Sequence, residues 1–182
     1  MMSQFYENPK NTAGVLIVPT GGGKTAITAH WLLRNHLHGD GAVVLWFAHR
    51  VELLRQAYKQ FVDFRYLLAE KKSGFHPVIV SGETLPWSAV GSWRQEGTNP
   101  DVVFSTFQSS TRETGRKQIE RFVADVSRRA GSNGHPIFVV ADEAHHSAAG
   151  SYFELLETLK SDSRCRLLWL TATPTPMVEA DR

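Results

Sequence analysis

The chain has 182 residues, 42% of them hydrophobic and 21% charged, with a net charge of +2. That is the composition of one globular domain with room for a core and too little chain for two, and the mild positive charge permits an anionic partner without requiring one. The single cysteine, Cys165, excludes an internal disulfide and a cysteine-based zinc site. No apolar run reaches the ~18 residues of a membrane span and the polar start Met1-Met2-Ser3-Gln4 has no signal-peptide core, so the sequence predicts a soluble, cytoplasmic protein with no membrane partner.

The first apolar run, 15–18, reads as a strand, and the segment Thr20-Gly21-Gly22-Gly23-Lys24-Thr25 follows it directly before a helical pattern over 25–37. Three glycines let the backbone turn tightly with its N–H groups facing inward, so that the loop and the helix N-terminus cradle phosphate oxygens. Lys24 would reach the β- and γ-phosphates and Thr25 would hold Mg²⁺ through its hydroxyl. Val18 stands where the pattern gives Gly, at a position that ends the strand rather than touching phosphate.

The strand 42–48 comes next, then a helix over 51–68 whose Leu53, Leu54, Ala57, Phe61, Phe64 and Leu68 form one buried stripe. After the strand 78–80, the glycine- and proline-containing segment 81–100 reads as an irregular surface connection. Its Trp87 and Trp93 are better explained as covers for the edge of the core than as stacking partners for bases. A strand over 102–105 leads into a helix over 111–129, where Arg112, Arg116, Lys117, Arg121, Arg128 and Arg129 read first as a solvated face and second as phosphate contacts.

The strand 137–141 ends in Asp142-Glu143, and a helix over 152–159 and a strand over 167–171 follow. An acidic pair after a strand is weak evidence alone, but beside a glycine loop it supplies what hydrolysis lacks. Asp142 would bind the metal, partly through water, and Glu143 would polarise the attacking water. The strands are continuous apolar runs rather than alternating ones, and they alternate with helices. This pattern predicts an α/β three-layer sandwich around a mainly parallel sheet, with ligands beyond the carboxyl ends of its strands.

With His145 the acidic pair completes Asp142-Glu143-Ala144-His145. Here the chain resembles the DEAH-type members of helicase superfamily 2, and among them the motor subunits of type I and type III restriction enzymes. The resemblance extends to Val44-Leu45-Trp46-Phe47-Ala48-His49-Arg50 and the Val51 to Gln56 stretch as motif Ia, to Asp101 through Gln108 as the next DNA-contact motif, and to Leu170-Thr171-Ala172-Thr173-Pro174 as motif III. It implies a RecA-like P-loop NTPase domain over 1–182 that uses ATP and Mg²⁺ to move on nucleic acid, DNA before RNA. It also implies a second RecA-like domain, in cis or in trans, that supplies arginine fingers.

By the same resemblance, His49, Arg50, Thr106 and Gln108 would line the nucleic-acid path, contacting backbone rather than bases. Thr171, Thr173 and His145 would couple nucleotide state to strand movement through hydrogen bonds toward the acidic box. Gln4 is the one upstream glutamine that would read adenine, and Pro176 stands where the restriction group often has arginine. Two other classes share some of these residues. A non-catalytic, nucleotide-gated binding module gives Glu143 nothing to do, and a kinase has no use for the motifs around His49, Gln108 and Thr171.

Overall fold

The computed structural model describes residues 12–37, 42–68, 74–81, 86–90, 100–129, 136–143 and 150–173. Six strands form one sheet: β1 (Ala13–Ile17), β2 (Val43–Ala48), β3 (Pro77–Val80), β4 (Val102–Thr106), β5 (Ile137–Asp142) and β6 (Cys165–Thr171), in the order β1-β6-β5-β2-β4-β3. Every pair is parallel, as expected of strands that read as unbroken apolar runs. In β2 the alternation is hidden because both faces are covered. Val44, Trp46 and Ala48 pack into one cluster with α1 (Lys24–Asn35) and α2 (Val51–Asp63). Val43, Leu45 and Phe47 pack into the other, with α4 (Glu113–Arg129) and α5 (Gly150–Lys160). The short α3 (Phe107–Thr111) lies between β4 and α4. The result is the three-layer α/β sandwich that the sequence predicts.

Three elements depart from expectation for physical reasons. Among the described residues β1 is a sheet edge, and Val15 and Ile17 remain 40% and 48% exposed rather than buried on both faces. The helix expected over 51–68 ends at Asp63, and a 3₁₀ turn at Arg65–Leu67 follows. That turn folds Leu67 and Leu68 back onto the cluster that Phe61 has already entered. The helix expected over 111–129 begins at Glu113, because Thr111 ends the separate short α3 and Arg112 between them has extended backbone. The break is tight, because a Cβ on Gly115 would lie 2.0 Å from the Ser109 carbonyl oxygen, so only glycine lets α4 approach α3 this closely.

The segment 81–100 is not wholly a surface connection. Residues 87–90 make a helical turn whose Trp87 and Val90 are buried in the α4–α5 cluster. Trp87 is therefore core, and its indole N–H donates to Ser105 Oγ at 3.1 Å; Trp93 lies outside the described residues. Of the basic helix, Arg116 is structural: it reaches Glu120 and Glu154, each at 3.2 Å, and Thr158 at 3.0 Å, tying α4 to α5. Arg112 and Arg121 are exposed, as a solvated face requires. Among the described residues, no helix is long and apolar enough to cross a membrane.

Candidate nucleotide site and the strand ends beside it

Parallel register places the sequence motifs together. Ile17 pairs with Thr171 and Asp142 with Leu170, so the ends of β1, β6 and β5 stand side by side. On the far side of β5, Phe47 pairs with Ala141 and Ala48 with Thr106. All five motif-bearing strands thus open onto one edge, where ligands of such sheets bind.

In the loop after β1 each glycine has its own reason. Gly21 and Gly23 have φ of 78° and 79°, the left-handed region that L side chains avoid. Gly22 lies under Val18 and Pro19: a Cβ there would be 2.6 Å from Val18 Cγ1 and 2.9 Å from the Pro19 carbonyl oxygen, which accepts the Gly22 N–H at 2.8 Å. A Cβ on Gly21 or Gly23 would meet nothing within 4 Å, so the loop faces open space. Gly23 is the N-cap of α1, with no side-chain cap and no acidic residue in the first turn. The helix start therefore offers backbone donors and a positive dipole end, the chemistry of an anion site.

The loop and the acidic pair meet across 119 residues of sequence. The Lys24 ammonium makes an ion pair with Glu143 Oε1, and the two side chains are only 12% and 19% exposed. Thr25 Oγ1 donates to Asp142 Oδ2 at 3.5 Å. Asp142 is buried, and its Oδ1 has no hydrogen-bond partner. Desolvation by burial pushes its carboxyl up from 3.8 to about 6, against the pull of the Lys24 charge and with the push of Glu143. A buried carboxylate oxygen without a partner, beside a hydroxyl, is a pair of hard oxygen donors that suits Mg²⁺ bound partly by protein and partly by phosphate and water. Among the described residues no cluster of three His, Cys, Asp or Glu side chains offers a self-sufficient metal cage. A groove along α1 lined by Ile27, His30, Trp31, Arg34 and Phe64 contains none of the predicted site residues.

The remaining assignments divide. Thr171 Oγ1 donates to the Thr173 carbonyl at 2.9 Å and accepts from the Thr173 N–H at 3.3 Å, so this hydroxyl closes a local turn instead of reaching the acidic box. What does connect β6 to the box is backbone: Glu143 N–H donates to the Leu170 carbonyl at 3.1 Å. His49, Arg50 and Gln108 are exposed at neighbouring strand ends. Thr106 is not free to join them, because its hydroxyl accepts from Ser109 N–H at 3.2 Å as the cap of α3 and donates to Ser109 Oγ at 2.9 Å. His145, Pro176 and Gln4 lie outside the described residues.

Sequence reading missed the hydroxyl chain that fixes this corner. Ser110 Oγ donates to Ser105 Oγ at 3.0 Å and to the Thr106 carbonyl at 2.9 Å, and Ser105 also receives Trp87. The one available signal is four hydroxyl residues, at 105, 106, 109 and 110, spaced for capping and i to i+4 bonds.

A parallel sheet with a glycine loop after its edge strand and an Asp-Glu pair two strands away is a RecA-like, helicase-type motor domain. A family model described as the type III restriction enzyme res subunit matches residues 2–176. The chain belongs to that family. Three solved structures show the same fold at low identity. The nuclease-deleted Type ISP restriction-modification enzyme LlaGI, in complex with a DNA substrate mimic, is 18% identical with a TM-score of 0.61. The helicase domain of Hef from Pyrococcus furiosus is 21% identical with a TM-score of 0.57, and the UvsW helicase from bacteriophage T4 is 18% identical with a TM-score of 0.54. The alignments cover 97%, 97% and 94% of this chain, but only 17%, 33% and 50% of those proteins. No functionally curated protein matches the sequence.

Proposed function

We propose that this chain is the ATP-binding motor domain of a DNA-dependent superfamily 2 translocase or helicase, hydrolysing ATP to drive movement on nucleic acid in restriction, DNA defence or repair. The observation that carries the reading is the convergence of Lys24 and Thr25 on Glu143 and Asp142 at adjoining strand ends. A DNA complex is on record for LlaGI, and DNA is the favoured track here because the family is a restriction family.

The residues divide the work. Backbone N–H groups of Thr20 to Thr25 and the start of α1 hold the phosphates, and Lys24 places a positive charge on them. Thr25 and Asp142 supply oxygens to Mg²⁺, which when bound neutralises charge on the phosphate oxygens. Glu143 orients the attacking water and draws its proton. His49, Arg50 and Gln108 contact the strand, and their backbone-directed contacts suit a motor indifferent to sequence. A second RecA-like domain, in cis or in trans, supplies the arginine that stabilises the transferring phosphate, worth ~10³ to 10⁵ in rate.

Direct titration tests the first part. Lys24→Ala should abolish Mg²⁺-ATP binding, and unchanged affinity would remove the phosphate-loop assignment. ATPase assays with single-stranded and duplex DNA and RNA test the second, in an assembly containing the partner domain. Stimulation by one nucleic acid names the track. Saturable nucleotide binding without any stimulated turnover would sink hydrolysis as the function.

A further inference from the structure

The ion pair between Lys24 and Glu143 joins the two residues whose assigned tasks lie on different partners, one on phosphate and one on water. A carboxylate in contact with an ammonium takes one of its three N–H donors and cancels its charge. The carboxylate oxygen thus occupies a donor of Lys24 that the nucleotide reading assigns to phosphate. With both side chains mostly buried, the pair is screened less than a surface pair and offers Lys24 little alternative hydration.

Glu143 is held there by its backbone as well. Its φ of 54° makes it the one non-glycine residue with positive φ among the described residues, a conformation that L residues avoid and that persists only where surroundings enforce it. Among the contacts that hold it are its side chain on Lys24 and its N–H on the Leu170 carbonyl of β6 at 3.1 Å. One residue thus touches the phosphate loop through its side chain and the last strand through its backbone.

Resting on the nucleotide reading above, we propose that Glu143 is a built-in competitor of the nucleotide for Lys24, so that phosphate binding and the release of Glu143 toward the water-orienting position are one event. The competition lowers affinity for any nucleotide whose β-phosphate uses Lys24. It also means that the group which positions the water is withheld until phosphate has displaced it.

Competition is distinguishable from simple repulsion. A carboxylate near the γ-phosphate repels ATP alone, whereas a carboxylate on Lys24 also weakens ADP. The experiment is a calorimetric titration of ADP and of ATP, in chelator without Mg²⁺, into the wild-type chain and Glu143→Gln. The same titrations with Glu143→Gly, which takes positive φ without strain, guard against a variant that folds poorly. Both variants should bind ADP about three- to tenfold more tightly, and ATP by at least that factor, because in the ATP complex the displaced carboxylate also stands near the γ-phosphate. Tightening of ATP alone, or of neither, overturns the proposal while leaving the phosphate loop intact. Failure of the wild-type chain to bind either nucleotide, with or without Mg²⁺, overturns the phosphate-loop reading and this proposal with it.

Discussion

Replacing Asp142 by asparagine should stabilise the metal-free protein while removing its response to magnesium. The carboxyl is 3% exposed, one oxygen has no partner, and burial moves it from 3.8 to about 6. At 1.36 kcal/mol per unit, the ionised form costs the fold about 3 kcal/mol relative to the neutral one. The sign follows from the direction. A carboxyl raised in the folded state has its favourable contribution fully present below pH 3.8, and that contribution is lost as pH rises through about 6. Asparagine is neutral throughout, so Asp142→Asn and wild type should differ little near pH 4 and diverge to about 3 kcal/mol above pH 7. Urea denaturation in chelator at a series of pH values measures this difference directly. Addition of Mg²⁺ with nucleotide should raise the wild-type midpoint and leave that of the variant in place. Parallel wild-type and variant stabilities across the whole pH range would refute the argument, because they would mean that water or a neighbour solvates this carboxylate in the fold.

Two further outcomes bear on the scaffold. Gly115→Ala should lower stability by about 1–3 kcal/mol, since the new methyl would overlap the Ser109 carbonyl oxygen 2.0 Å away. A rise in melting temperature, the usual gain for glycine to alanine inside a helix, would show that α4 does not lie this close to α3. Cys165, buried at the start of β6 with its thiol pushed up to about 12, chiefly by burial, should react with thiol reagents at pH 8 no faster than the protein opens. Rapid stoichiometric modification of the native protein would place β6 outside the core.

The sheet and its order of layers were legible because the information is local. A continuous run such as Val43–Ala48 reports burial on two faces, and the glycine loop carries its own conformational demand. The acidic pair was legible as residue types, and its position at a strand end followed from the apolar run before it. What stayed hidden depends on contacts far apart in sequence. That Val15 and Ile17 are edge residues is decided by which strands flank β1, not by β1 itself. The break at Arg112 reflects the closeness of α3 and α4, although Gly115 marked it. Trp87 looked like a loop residue because the hydroxyl that holds it, Ser105, lies 18 positions later. The left-handed backbone at Glu143 and its grip on Lys24 had no local sign, since glutamate carries no preference for positive φ.

The strand order has a mechanical consequence. Adjacent strands are ~4.8 Å apart, so the four steps from β1 across β6, β5 and β2 to β4 separate the phosphate loop from the Gln108 corner by roughly 19 Å. No side chain spans that gap. β5 lies between the two, with the acidic pair at its tip and hydrogen bonds to β6 on the loop side and to β2 on the Gln108 side, so under the proposed function a shift at the acidic pair reaches that corner through the sheet.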